Sequence, residues 1–304
     1  MTELIVTVGL PCSGKSTWAK EFKEKEGVGN YIIIESDEYR THLFGNKQDK
    51  ETNTKLFEII HGDIYQALSV GRNVILDATN LSQKHRKTLL QKIAKLNVHK
   101  TCVLFATSYD ICLERNEKRE RKVPIEIIKR MRENFNVPMY NEGFDNIEII
   151  YSYNNAEYNI SDFLNMADEF DQKNVNHTMT LGYHSTAVAN YMLENKVDDH
   201  IYLAALLHDV AKPLTQVFTT FKGEPTEDAH YFSHDNCGAY ESLFYLNEHC
   251  HRTKDILFAS ALINYHMRLY FSKSDKSKKK LLNTVGEDMY YFLKLLHEAD
   301  KTCK

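Results

Sequence analysis

Glycine and proline are scarce in this chain, 12 and 5 in 304 residues, and no internal repeat is present. That composition belongs to a folded globular protein and not to a low-complexity one. The six cysteines (Cys12, Cys102, Cys112, Cys237, Cys250 and Cys303) include no C-x-x-C spacing. A disulfide scaffold is therefore not expected, and reduced thiols in a cytoplasmic protein are. No long hydrophobic run exists: the apolar stretch Leu4–Val8 is too short and too weakly flanked for a signal peptide or a membrane span. Excess charge is absent too, with 38 Lys and Arg against 42 Asp and Glu. Any contact with nucleic acid must come from local basic patches.

What is present is 42% hydrophobic and 26% charged residues, enough for a sizeable core. The length suits two domains. Histidine is distributed unevenly, with ten of the 14 between His177 and His297. Two domains with different chemistry explain that asymmetry. The boundary is expected near residue 160, giving domains 1–160 and 161–304. Residues 152–176 are polar without Pro or Gly, and Phe163, Leu164, Met166, Ala167 and Phe170 predict an ordered helix over 160–170.

The first half is organised around Gly9-Leu10-Pro11-Cys12-Ser13-Gly14-Lys15-Ser16-Thr17, which is G-x-x-x-x-G-K-S between an apolar strand and a helix. A tight turn can match this pattern by chance, but strand before and helix after are the context that a phosphate loop requires. Such a loop turns backbone N–H groups toward an anion, and the helix N-terminus adds its positive end. Lys15 then reaches the outer phosphates of ATP and the Ser16 hydroxyl can ligate Mg²⁺.

Strands are expected at 4–8, 31–35, 74–77, 101–106 and 147–151, with helices at 16–25, 54–68, 83–96, 109–117 and 125–133. Alternation of this kind predicts a parallel sheet with helices on both faces. After the second strand, Asp37 is placed to accept a proton from an attacking hydroxyl, with Arg40 one helical turn on; the alternative is a helix cap with a surface ion pair. Asp77, after the third strand, can hold Mg²⁺ through water or cap the next helix. Residues 115–132 carry eight Lys or Arg against three Glu. They form either a solvated face or a lid whose arginines close over a transferring phosphoryl group.

Gly9–Thr17, Asp37-x-x-Arg40, Asp77-Ala78-Thr79-Asn80 and Arg115-Asn-x-x-Arg119 with Val123-Pro124 together resemble the phage-type 5′-hydroxyl polynucleotide kinase family over roughly residues 1–150. The resemblance implies that Gly9, Ser13, Gly14, Lys15, Ser16, Thr17, Arg115 and Arg119 bind ATP. Asp37 would be the general base on the 5′-OH, Arg40 would hold the acceptor's phosphate, and Arg119 would stabilise the transition state. Position 12 is Cys where that family often has Gly, a change the loop tolerates if φ is negative there.

The second half centres on the apolar run Leu203–Leu207 followed by His208-Asp209-Val210-Ala211-Lys212. Imidazole and carboxylate together suit a divalent transition metal. His184, His234, His266 and Asp300 each lie on or beside a helical stretch, so a helical bundle converging on metal is the natural architecture. His200, His249, His251 and His297 read as core residues instead. The lysine run 273–280 reads as a solvated loop, with contact to RNA phosphates as the alternative.

The order H…HD…H…H…D resembles the HD phosphohydrolase superfamily over about residues 175–300. That resemblance implies one or two ions of Mn, Ni, Co or Fe. His184, His208, Asp209 and Asp300 would hold one; His234 and His266, with Asp209 bridging, would hold a second. Lys212 would neutralise the substrate phosphate, and His177 would touch substrate. Lys304 stands where related modules commonly carry Arg, keeping the charge without the bidentate fork. The expectation is an α/β P-loop polynucleotide kinase domain followed by an all-α HD metal-dependent phosphohydrolase domain. Such a chain would heal nucleic-acid ends for a downstream RNA ligase, phosphorylating 5′-OH ends of RNA (tRNA included) or DNA and hydrolysing 2′,3′-cyclic phosphates or phosphomonoesters. The alternatives are a small-molecule or nucleoside kinase fused to an HD nucleotidase, and a nucleotide-sensing switch, against which the Asp37–Arg40 pair argues.

Overall fold

The structure is a computed structural model that describes every residue except Met1, Val28, Asn46, Gln48, Asn176, His177 and Lys304. His177 and Lys304, singled out above, lie outside the described residues. Two compact units emerge from the contacts: Met1–Ile128 with Pro138–Ser152, and Lys129–Val137 with Tyr153–Lys304.

The first unit is built on five strands, β1 (Thr2–Val8), β2 (Tyr31–Glu35), β3 (Asn73–Asp77), β4 (Val98–Thr107) and β5 (Asn146–Ser152), in the order β2-β3-β1-β4-β5. Every pairing is parallel. Leu4, Ile5, Val6 and Val8 of β1 are all buried, as β-branched and apolar residues of a central parallel strand must be. Between the strands run α1 (Lys15–Glu26), α2 (Ser36–Phe44), α3 (Lys50–Ser69), α4 (Gln83–Lys92), α5 (Tyr109–Glu117) and α6 (Ile125–Arg132). The sequence pattern did not separate α2, which has no buried residue to give it an apolar period. Asp49 fixes the start of α3 by accepting the Thr52 N–H at 2.9 Å. Because β1 is central, the loop after it opens at the carboxyl edge between β3 and β4.

A buried ion pair ties the turn after β3 to the rest of this unit. Arg86, on α4, donates to Glu142 through Nε at 2.8 Å and Nη2 at 2.7 Å, and its Nη1 donates to the carbonyls of Asn80 and Leu81. Five bonding positions on one guanidinium make this pairing affordable away from water.

In the second unit, α7 (Ile160–Glu169), α8 (Leu181–Glu194), α9 (Asp199–Leu206) and α10 (Lys212–Thr215) precede a two-stranded antiparallel hairpin, β6 (Gln216–Thr219) and β7 (Pro225–Tyr231). Then come α11 (His234–His249), α12 (Thr253–Tyr265), α13 (Arg268–Phe271), α14 (Asp275–Val285) and α15 (Glu287–Thr302). The hairpin corrects the expectation of helices alone. The lysine run expected to be a loop forms the start of α14, capped by the Ser274 hydroxyl on the Ser277 N–H at 3.2 Å. Helices α7 and α8 pack so closely that a Cβ on Gly182 would lie 2.0 Å from Asp168 Oδ1 and 2.7 Å from its backbone nitrogen. The segment 129–137 joins this unit through polar contacts. Arg132 pairs with Glu241 at 3.1 Å, and Asn264 accepts the Val137 N–H at 3.2 Å and donates to the Phe135 carbonyl at 3.2 Å. No helix among the described residues is long and apolar enough to cross a membrane.

Candidate phosphate-loop and metal sites

The phosphate loop is held from three strands. Gly9 N–H donates to the Thr79 carbonyl at 3.1 Å, Asn80 Nδ2 to the Thr7 carbonyl at 2.9 Å, and Thr107 Oγ1 to the Ser13 carbonyl at 3.0 Å. Gly14 takes φ of 101° as it turns into α1, a conformation that costs any side chain but glycine. Ser16 and Thr17 are exposed in the first turn of α1. Lys15 is buried, with Nζ donating to the Leu10 carbonyl at 2.6 Å and the Ser13 hydroxyl at 3.2 Å. Burial pushes its pKa down, and the nearby carboxylates Asp77 and Asp37 oppose that shift. Asp37 and Arg40 sit one turn apart on α2; Arg40 Nη1 donates to the Lys47 carbonyl at 3.2 Å.

Both candidate lid arginines reach the loop. Arg119 Nη1 lies 3.4 Å from Cys12 Sγ. Arg115 donates to Ser152 Oγ at 2.8 Å, and its Nη1 would be 3.8 Å from a Cβ on Gly14. Asn116 closes the segment between them and Pro124: it donates to the Val123 carbonyl at 2.8 Å and accepts the Val123 N–H at 2.9 Å. Two expectations are corrected here. Cys12 has φ of 64°, positive and not negative, so the loop places a side chain in the left-handed region that glycine suits. The basic run 115–132 is not one lid either, because Lys129–Arg132 belong to the second unit, where Arg132 is buried against Glu241. Glu35 escaped the sequence reading. Burial raises its pKa; Lys20 at 3.8 Å opposes this, and the carboxylates of Asp77, Glu38 and Asp37 reinforce it.

In the second unit, all six expected ligands come together from five elements, and all are buried. His184 lies on α8, His208 and Asp209 in the turn after α9, His234 at the start of α11, His266 at the end of α12 and Asp300 on α15. Asp209 stands between two groups. Its Oδ2 is 3.1 Å from His208 Nε2 and 3.5 Å from His184 Nε2; its Oδ1 is 3.3 Å from His234 Nε2 and 3.8 Å from His266 Nε2. Asp300 Oδ1 approaches His184 Nε2 at 3.3 Å.

Each imidazole is oriented through its other nitrogen. The Nδ1 atoms of His184, His208, His234 and His266 lie 2.6, 2.6, 2.6 and 2.7 Å from the carbonyls of Cys303, Ala205, Tyr231 and Ile263. A carbonyl only accepts, so each Nδ1 carries the proton and each Nε2 presents a lone pair inward when the ring is neutral. The Nε2 atoms then face one another at 3.3 Å (His184 and His208) and 3.2 Å (His234 and His266) with no proton to share. A divalent cation satisfies such a donor set; the residues fit one. Without it, His184 is pushed up to about 9, because Asp209 and Asp300 outweigh the burial that lowers it. Burial and the neighbouring imidazoles of His234 and His208 hold His266 down, at about 4.

Lys212 Nζ is buried 2.7 Å from Asp209 Oδ2 and donates to Gln172 Oε1 at 2.6 Å. Tyr270 donates to Asp300 Oδ2 at 2.8 Å. Gln172, Tyr270 and the four carbonyls were not identified from sequence; carbonyls leave no residue signature. Of the histidines read as core, His200 packs edge-on to Phe258 and His297 to Tyr270, but His249 and His251 are exposed. Asp209, Lys212, His234, Tyr270 and Asp300 line one cleft of about 460 Å³.

Residues 4–138 match the profile of the AAA domain family. L-seryl-tRNA(Sec) kinase of Methanococcus maripaludis is 30% identical over 142 residues, 44% of this chain and 53% of that protein. A protein of Autographa californica nuclear polyhedrosis virus described as a bifunctional polynucleotide kinase/RNA ligase is 32% identical over 143 residues, 44% of this chain and 21% of its own. One of Acanthamoeba polyphaga mimivirus, described as a bifunctional polynucleotide phosphatase/kinase, is 29% identical over 159 residues, 50% and 34% respectively. The chain thus spans between about a fifth and about a half of these curated relatives. Among solved structures, the Pnkp1/Rnl/Hen1 RNA repair complex is similar at a TM-score of 0.39 and 23% identity, over 43% of this chain and 42% of that one. The first unit thus carries a phosphate loop on a parallel five-stranded sheet, and proteins described as kinases, polynucleotide kinases among them, are similar to it.

Proposed function

We propose that the chain heals broken nucleic-acid ends, transferring phosphate from ATP to a 5′-OH and hydrolysing a 2′,3′-cyclic phosphate or phosphomonoester at a separate, metal-dependent site. The observation that carries this reading is the six-ligand cluster with Lys212 beside it, in a chain whose other unit holds a phosphate loop with polynucleotide-kinase relatives.

For the kinase, the backbone amides of Gly9–Thr17 and Nζ of Lys15 would hold the ATP phosphates, and Ser16 Oγ would be the Mg²⁺ ligand. The 5′-hydroxyl oxygen bonds to the γ-phosphorus, its proton passes to Asp37, and the bond to the β-phosphate oxygen breaks to release ADP. Arg40 positions the acceptor through its phosphate; Arg115 and Arg119 oppose the charge that spreads over the transferring group.

In the second unit, His184, His208 and Asp300 would hold one ion, and His234 and His266 a second, with Asp209 between them. Bound divalent ions supply Lewis acidity and a water acidic enough to ionise near neutral pH. The chain contributes orientation: four Nδ1–H groups anchored on carbonyls, Asp300 anchored by Tyr270, and Lys212 aimed into the cleft to neutralise phosphate. RNA ends, those of tRNA included, or DNA ends would be the substrates, and an RNA ligase the consumer of the product.

The seryl-tRNA kinase relative, whose name gives an acceptor other than a nucleic-acid 5′ end, leaves room for a second reading, in which the kinase acceptor is a small molecule or nucleoside and the HD unit a nucleotidase. One experiment decides. A short RNA with a 5′-OH and a 2′,3′-cyclic phosphate is incubated with ATP, Mg²⁺ and Mn²⁺, Ni²⁺ or Co²⁺, and both ends are read by mass. End healing predicts a 5′-phosphate and loss of the cyclic ester; Lys15→Ala should abolish only the first and Asp209→Ala only the second. Unchanged RNA ends with consumed mononucleotides would establish the second reading.

A further inference from the structure

The cleft above the metal cluster does not end at its polar floor. Aromatic rings continue it toward solvent: Phe271, at the end of α13, lines the cleft and is 73% exposed, and Phe221, at the tip of the β6–β7 hairpin just outside the lining, is 89% exposed. Phe232 joins them, 5.8 Å from Phe221 between ring centroids, and stacks on His230 at 5.4 Å with only 5° between the planes. His230, Phe232 and Phe271 line the same cleft as Asp209 and Lys212. Large apolar rings clustered in water need a functional account. None of the proposed phosphate chemistry uses them.

The occupant follows from what lies beneath and beside these rings. The floor offers a cation, Lys212, and ligands for metal, so it takes a phosphate; the rim offers flat apolar faces within the same cavity, so it takes a flat ring tethered to that phosphate. The cavity, about 460 Å³, far exceeds a bare phosphate and suits a nucleotide. Beyond Phe271 the chain continues into exposed Lys273, Lys276, Lys278, Lys279 and Lys280, a basic tract suited to the backbone of a strand longer than one nucleotide.

We infer that the β6–β7 hairpin with Phe271 is a base-stacking shelf that grips the unpaired bases at the 3′ end of a single-stranded nucleic acid while its terminal phosphate lies over the metal cluster. This rests on the reading of the second unit as a phosphoesterase for nucleic-acid ends, and it names what that site recognises. Stacking on aromatic side chains tolerates any base, so the shelf selects for unpaired ends and not for sequence.

The test uses the full chain and short fluorescent RNA and DNA strands ending in a 3′-phosphate, either intact or abasic at the terminal nucleotides. Binding is followed by anisotropy on the Mn²⁺-loaded chain, with a non-hydrolysable phosphonate in place of the 3′-phosphate, so that the cluster stays loaded and no turnover intervenes. Removing the terminal bases should weaken binding of the unaltered protein about tenfold in at least one of the two strand types. Phe221→Ala with Phe232→Ala should lose the same factor on the intact strand and nothing further on the abasic one; Trp at both positions should restore the discrimination. Equal losses of the alanine variant on both strands, or none on either, would overturn the shelf. Turnover of bis(p-nitrophenyl) phosphate, a diester, or of p-nitrophenyl phosphate, a monoester, by the Mn²⁺-loaded chain reads the cluster without any base. Base discrimination without that turnover leaves the shelf standing and removes the phosphoesterase reading; turnover without base discrimination does the reverse.

Discussion

Lys212 Nζ lies 2.7 Å from Asp209 Oδ2, the oxygen that His208 Nε2 approaches to 3.1 Å. A fixed positive charge thus shares a carboxylate oxygen with the candidate metal site. Such a charge weakens cation binding by repulsion, so its retention there needs a return, and neutralising an anionic substrate supplies one. Lys212→Met should therefore raise affinity for Mn²⁺ about tenfold, read by chelator competition, while lowering phosphoester turnover about a hundredfold. A lysine that only propped the fold would give losses in both.

Cys12 occupies the left-handed region at φ 64°. The conformation costs a side chain about 1–2 kcal/mol, of which Gly recovers a part because its unfolded chain is more disordered. Cys12→Gly should raise the melting temperature of the first unit by about 1–3 °C. Cys12→Ser keeps a Cβ and should give no gain, which separates backbone strain from loss of the thiol. A gain with Ser would point to the sulfur.

The phosphate loop and the five strands were legible because each is a local signal: a glycine-framed run, or a segment of four to six mostly apolar residues. The residues of the candidate metal cluster were legible for a different reason, since His and Asp on or beside helical stretches are chemically out of place unless something accepts them. Other features depend on partners far along the chain. Asn264 reaches back to Val137 and Phe135, and Glu241 to Arg132, and no pattern within residues 129–137 announces either contact. The hairpin was missed because Pro225–Tyr231 alternates weakly and carries Glu227, Asp228 and His230, which depress strand propensity.

The division of the basic run has a direct consequence. Arg119 stands at the phosphate loop beside Cys12, and Arg132 is buried with Glu241 in the other unit. Arg119→Ala should lower the phosphoryl-transfer rate on a 5′-OH strand about 10²- to 10³-fold without destabilising the chain. Arg132→Met leaves Glu241 as an uncompensated buried charge and should cost the second unit about 3–5 kcal/mol in urea unfolding. Its kinase rate should match the unaltered protein. Equal kinase losses in both variants would restore the single lid.

His61, on α3, is buried beside Phe57, with ring centroids 6.0 Å apart. Burial first, then Lys92 and His85, lowers its pKa to about 4. Above the unfolded value of 6.5 the ring is neutral in both states and its contribution to stability is complete. As pH falls from there toward 4, the unfolded chain binds a proton that the folded one excludes, so stability drops, by at most ~3 kcal/mol over that interval. The loss levels off once the folded ring also protonates. His61→Leu keeps an apolar side chain in place and removes the titration. Urea midpoints of the first unit at pH 7 and pH 5 should therefore fall further for the unaltered protein than for His61→Leu. The difference at pH 5 should be about 2 kcal/mol. Identical pH dependence in the two proteins would mean that the folded ring takes up its proton as readily as the unfolded one, and other groups would then account for the acid limb.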